Sequence, residues 1–185
     1  MSLKELTAEK HHNAERTAFA KLLLSGNINK EQYAQYLLQM LEVYSALEYH
    51  AAVNSLFADL SGLPRVMAIY EDLEELEVPQ GQLTLLESTK KYIQYLNEIG
   101  SNPECSRKLL AHLYVRHMGD LYGGQMIAKR VPGSGKFYQF RNKDELVAKI
   151  REKLDDGLGE EANVAFDHAI AIMKELNESS LEHAD

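Results

Sequence analysis

The sequence contains a single cysteine, Cys105, in 185 residues, so no internal disulfide can form. It has no Cys-x-x-Cys-His segment for covalent cofactor attachment and no cysteine cluster for an iron–sulfur centre. A reducing, cytoplasmic compartment fits that usage. Long apolar runs are also missing. No stretch approaches the roughly 18 residues of a membrane span, and Met1-Ser2-Leu3-Lys4-Glu5 lacks the apolar core of a signal peptide, so no membrane association is expected. There is no basic excess: Lys and Arg number 20 against 28 Asp and Glu, a formal charge of −8. A surface that tracks phosphates would need the opposite balance, which argues against nucleic-acid binding. No flavin or nicotinamide fingerprint is present, so any redox chemistry must draw its electrons from a partner.

Alternating strand patterns and internal repeats are absent as well, whereas helical periodicity runs through nearly the whole chain. Tyr33, Leu37, Met40, Tyr44 and Leu47 recur at spacings of 4, 3, 4 and 3, which predicts one buried stripe on a helix over about 30–60. Thr7 is a candidate N-cap for a first helix running to about Leu24, ended by Ser25-Gly26-Asn27. Pro64 suits the first turn of a helix reaching roughly Val78, and a fourth fits 83–99. A glycine-rich helix comes next over about 103–130 and is broken by Val131-Pro132-Gly133-Ser134-Gly135. After an aromatic connector at 136–140, two last helices fit 142–156 and 160–177. The reading is one all-α domain over 1–178, with 179–185 as a flexible tail.

The glycine-rich helix carries the least ordinary run, Tyr114-Val115-Arg116-His117-Met118-Gly119-Asp120-Leu121-Tyr122-Gly123-Gly124-Gln125. Each interior glycine costs a helix roughly 1 kcal/mol relative to alanine, so three within six residues need a reason. Gly119 and Gly123 are i, i+4 neighbours and would present a strip of bare backbone. That strip can receive a flat ligand, kink the helix or admit a neighbouring helix. Arg116 and Asp120 form a second i, i+4 pair, in which the guanidinium would keep the carboxylate ionised and oriented. In the first helix His11 and Glu15 are one turn apart. There a carboxylate can take the Nδ1 proton of an imidazole and leave Nε2 free for a metal, although histidines near a chain end are more often plain surface residues.

The run from Arg116 to Gln125 resembles the distal-helix signature of haem oxygenases, Arg-x-x-Gly-Asp-x-x-Gly-Gly-Gln, at every fixed position. Lys10-His11-His12-Asn13-Ala14-Glu15 is similar to that family's proximal segment, which makes His11 the axial ligand of the haem iron and Glu15 its partner. Lys4, Tyr114 and Arg151 match positions near the haem propionates, and Tyr44 matches a tyrosine of the distal hydrogen-bond network. The likeness spans about residues 3–177. Two departures stand out. Val147 occupies a position where a lysine is frequent, with Lys143 as a substitute, and Tyr122 stands where a small residue is common, its bulk set to narrow the pocket or press on a neighbouring helix.

The resemblance implies a haem oxygenase-like all-helical fold, with haem b as both cofactor and substrate between a proximal helix and a glycine-kinked distal helix. It implies opening of haem to biliverdin, of which the IXα isomer is the family's commonest, with carbon monoxide and ferrous iron, using dioxygen. Gly119, Gly123 and Gly124 would line the haem, and Asp120, through ordered water, would relay a proton to the reacting oxygen with Arg116 and Tyr44 in support. Reduced ferredoxin or a similar reductase is the implied electron donor, and a bilin reductase a downstream consumer. Basic residues at Arg107, Lys108, Lys129, Arg130, Lys136, Arg141 and Lys143 are candidate docking positions. The alternative within the same fold is a non-catalytic haem-binding or storage protein.

Overall fold

The computed structural model describes residues 1–182, and the regular structure among them is entirely helical, as the periodicity predicts. The α-helices are α1 (Leu3–Glu15), α2 (Ala18–Ser25), α3 (Lys30–Val53), α4 (Val66–Glu75), α5 (Glu87–Ser101), α6 (Lys108–Leu113), α7 (Gly119–Ala128), α8 (Lys143–Lys153) and α9 (Gly159–Glu182). Helix α9 continues past the domain end expected at residue 178, and positions 183–185 of the expected tail lie outside the described residues.

The stripe of α3 is the centre of the core: Tyr33, Leu37, Met40, Tyr44 and Leu47 are each at most 1% exposed. Burying each large side chain contributes roughly 1.5–3 kcal/mol, and α3 uses the stripe to pack against α4, α5, α6 and α9. The helix is shorter than predicted and ends at Val53. Glu48 then organises the next entry, its carboxylate accepting from the backbone amides of Arg65 and Val66 at the start of α4.

The single first helix expected from Thr7 to Leu24 is two helices. Ser2, not Thr7, caps α1: its hydroxyl accepts from the Glu5 amide while the Glu5 carboxylate accepts from the Ser2 amide. Thr7 sits one turn inside and its hydroxyl donates to the Leu3 carbonyl. The break comes at Thr17, whose extended backbone and side chain cap α2 through the Ala20 amide. Helix α1 packs along α9 and α2 against both α9 and α7.

The glycine-rich segment is also not one helix. A π-helical turn, Tyr114–Met118, joins α6 to α7. Arg116, His117 and Met118 are all buried, and three consecutive residues fan across some 200° of an ordinary α-helix, at about 100° each. The wider turn rotates the register of α7 relative to α6.

Candidate active-site cleft

A cleft of about 1180 Å³ opens between α1, α2 and α9 on one side and the π turn and α7 on the other, with α3 as its floor. It exceeds the roughly 300–1,000 Å³ of ordinary small-molecule sites, and its size suits a large flat ligand. Of the residues singled out by sequence, it gathers Lys4, His11, Glu15, Tyr44, Tyr114, Arg116, Gly119, Asp120, Gly123 and Arg151.

On the α1 side, His11 stacks on Phe166 of α9, with ring centroids 5.6 Å apart at 27°. Its contact with Glu15 corrects the sequence reading. Nε2, not Nδ1, meets Glu15 Oε1 at 3.0 Å, since the glutamate one turn on is long enough to reach the far nitrogen. Both side chains are about 60% exposed, and such exposed pairs contribute at most about 1 kcal/mol. Exchanging Glu15 for another partner at Nε2 therefore costs little.

On the α7 side, a methyl group added to Gly119 or Gly123 would meet no atom within 4 Å, so both glycines present bare backbone to open space in the cleft. Gly124 does not. It is buried against Tyr138, and an added Cβ would lie 2.6 Å from that ring, so Gly124 is a packing glycine rather than part of the cleft wall. Three successive helix residues diverge by about 100° each, so neighbours of Gly123 cannot share its face. Gln125, which is exposed, donates from Nε2 to the Tyr138 carbonyl.

Asp120 is buried, and Tyr44 Oη donates to its Oδ2 at 2.5 Å. Burial pushes its carboxyl up to about 7, against the opposing effects of His117, the Tyr44 hydrogen bond, Arg116 and Arg65. The same burial raises the Tyr44 phenol well above its ordinary value, so Tyr44 stays protonated and is the donor in this pair. The Arg116–Asp120 ion pair expected from i, i+4 spacing does not form. The π turn swings Arg116 inward, where its guanidinium donates to Met40 Sδ at 3.4 Å and lies 5.9 Å and 5.8 Å from the Tyr44 and Tyr92 rings. Its Nε has no partner. Arg116 thus favours the Asp120 carboxylate at a distance but does not hold it ionised; Tyr44 is the group that touches it.

Two buried networks adjoin the cleft. His117 Nε2 meets Glu48 Oε2 at 2.8 Å, and its ring lies 5.0 Å from that of Tyr44. Behind Arg116, Tyr92 Oη is 2.6 Å from His112 Nδ1, and His112 Nε2 is 2.9 Å from Glu161 Oε1, which also accepts from Tyr95 Oη. With Nε2–H given to the carboxylate, Nδ1 is left to accept from Tyr92; burial pulls the imidazole below its usual value, offset in part by Glu161. Sequence reasoning missed both networks, because each joins residues 20 to 69 positions apart. The available signal was a polar residue placed where the helical period demands an apolar one: Glu48 falls one turn after Tyr44 on the buried face of α3.

At the mouth, Arg151 Nη2 donates to Tyr122 Oη. Val147 is buried in an apolar cluster with Leu60, Leu63, Met118, Leu121, Leu146 and Ile150 and offers no charge there. Among the candidate docking residues, Arg107 is paired with Asp155 and Lys136 with Glu71, and Arg130 donates to the Leu24 carbonyl. Among the described residues no helix is long and apolar enough to cross a membrane.

The family model described as heme oxygenase matches residues 1–175. Heme oxygenase 2 of Oryctolagus cuniculus is 34% identical over 96% of this chain, which spans 65% of that relative's length. In three dimensions the chain is similar to heme oxygenase from Leptospira interrogans, with a TM-score of 0.79 and 26% identity over 95% of this chain and 100% of that one. It is also similar to heme oxygenase-2 of Synechocystis, solved in complex with heme and NO, with a TM-score of 0.79 and 27% identity over 95% of this chain and 84% of the other.

Proposed function

The chain belongs to the haem oxygenase family, and we propose that it binds haem b in the cleft and opens it to biliverdin, carbon monoxide and ferrous iron. Haem, when bound, supplies the iron at which dioxygen is activated and is itself the molecule consumed. The residues fit such a guest. The α7 wall offers backbone at Gly119 and Gly123 where side chains would obstruct a plane, His11 offers an imidazole from α1, and the buried Arg116 Nε lacks a partner within the protein.

The observation that carries the reading is Asp120, a buried acid pushed up to about 7, hydrogen-bonded to Tyr44 on the glycine wall of the same cleft. An acid that titrates near neutrality can both give and recover a proton at working pH. Tyr44 fixes the orientation of the carboxyl, and Arg116, held among Met40, Tyr44 and Tyr92, supplies positive charge that favours the carboxylate once its proton has left. A water on Asp120 extends its reach to the oxygen that needs the proton. A storage protein has no use for such an acid.

His11 is the axial ligand in this reading, with Glu15 as its partner, and Lys4, Tyr114 and Arg151 meet the propionates at the rim. Reduced ferredoxin or a similar acidic electron donor docks on the basic positions that form no ion pair among the described residues, Lys108, Lys129, Arg130, Arg141 and Lys143, and a bilin reductase consumes the product. The α-meso carbon is the position of attack favoured by family likeness. The binding half is tested by titrating haem into the protein and recording its Soret band. His11→Ala should abolish the histidine-ligated spectrum and His12→Ala should leave it intact; loss in His12→Ala alone would show the ligand assignment to be wrong.

A further inference from the structure

We infer that Tyr122 is a positioning residue for the carboxylates of the ligand, holding the Arg151 guanidinium at the mouth of the cleft by bridging from α7 to α8. The inference rests on the reading of the cleft as a haem site. Tyr122 and Arg151 both line that cleft. Arg151 Nη2 donates to Tyr122 Oη, and the guanidinium carbon lies 5.7 Å from the centroid of the same ring. Lys143, two turns before Arg151 on α8, brings its Nζ to 5.8 Å from that ring. One exposed tyrosine therefore gathers two cations of α8, of which Arg151 lines the cleft.

The nature of the partner matters. A surface arginine held by a glutamate would arrive at the ligand already neutralised. A phenol oxygen accepts a hydrogen bond and leaves the full positive charge, with Nη1 and Nε still available as donors. Among the described residues Arg151 takes part in no ion pair, and the nearby Asp155 is occupied by Arg107. Arginine also loses much rotamer freedom when it binds an anion, and fixing it beforehand removes part of that cost. Because Val147 is buried and apolar, the charge that α8 presents to the cleft comes from Arg151, which Tyr122 holds. The bulk of Tyr122, unexplained from sequence, thus has a use.

The test compares affinities for haem and for haem dimethyl ester, which has the same plane and iron but no free carboxylate, by Soret titration of the wild type, Tyr122→Phe, Tyr122→Ser, Arg151→Met and the Tyr122→Ser/Arg151→Met double variant. Tyr122→Ser should weaken haem binding by roughly tenfold and ester binding by less than about twofold, as expected for a lost charge-assisted contact. Tyr122→Phe, which keeps the ring and folds with the least disturbance, should lose about threefold for haem alone. In the Arg151→Met background, Tyr122→Ser should add nothing. Equal losses for haem and ester, full additivity with Arg151→Met, or unchanged affinity in both Tyr122 variants would overturn the inference while leaving the haem site intact. A wild-type protein that binds neither compound would overturn the cleft reading and this inference together.

Discussion

Asp120→Asn keeps the shape of the side chain and an oxygen to accept from Tyr44, but it cannot ionise. In the unfolded chain the carboxyl titrates at its ordinary 3.8, and in the fold burial raises it to about 7. The folded protein therefore holds this proton more tightly than the unfolded chain does. Below pH 3.8 both states are protonated and the group costs nothing. Between about pH 4 and pH 7 the unfolded chain has released the proton while the folded protein keeps it, so the contribution to stability falls as pH rises; above pH 7 the whole deficit is present. A rise of about 3 units at 1.36 kcal/mol per unit sets that deficit at no more than about 4 kcal/mol. The asparagine variant escapes it. In guanidinium unfolding followed by circular dichroism from about pH 4 to about pH 9, Asp120→Asn should match the wild type near pH 4, gain steadily, and level off above about pH 7 with an advantage of up to about 4 kcal/mol. A difference that is constant across pH, or a variant less stable than the wild type at about pH 8, would refute the burial argument.

The two adjacent glycines should behave oppositely in the ligand-free protein. Gly123→Ala meets nothing in the cleft and should raise stability by up to about 1 kcal/mol through helix propensity while weakening haem uptake in a Soret titration. Gly124→Ala places its methyl 2.6 Å from the Tyr138 ring and should lower the midpoint of thermal unfolding, at a cost of about 1–3 kcal/mol from overpacking. Glu48→Gln keeps one oxygen for the start of α4 but turns an NH2 toward His117 Nε2, which can accept it only with the imidazole proton moved to the buried, unpartnered Nδ1; denaturant titration should show a loss of roughly 3 kcal/mol.

Much of this architecture is legible in the sequence because it depends on local periodicity. The α3 stripe, the helical breaks near Gly26 and Pro132, and the bare face of Gly119 and Gly123 all arise from spacing and backbone chemistry. The register around Arg116 does not, because the π turn breaks the 3.6-residue period that the spacing argument assumes, and no local pattern in the sequence marks it. The single missed turn produced the wrong partner for Asp120, Arg116 in place of Tyr44. Likewise, the division of the first helix turned on whether Ser2 and Thr17 or Thr7 would cap, and all three residue types are suited to it; the packing of α1 along α9 and α2 against α9 and α7 goes with the first choice. Partners far apart in sequence, such as His117 with Glu48, are set by tertiary structure and leave only the trace of a polar residue in an apolar position.

In the proposed function Asp120 serves the opening of the haem ring rather than its binding, and on that role the proposal stands or falls. It is met most directly by supplying the haem-loaded protein with reduced ferredoxin or ascorbate in air and recording the visible spectrum over time, for the wild type and Asp120→Ala side by side. Loss of the Soret band and growth of bilin absorption are expected in the wild type, and a variant that binds haem yet opens it at a small fraction of that rate. A wild-type haem complex that persists unchanged, or an Asp120→Ala variant that turns over normally, would contradict that role.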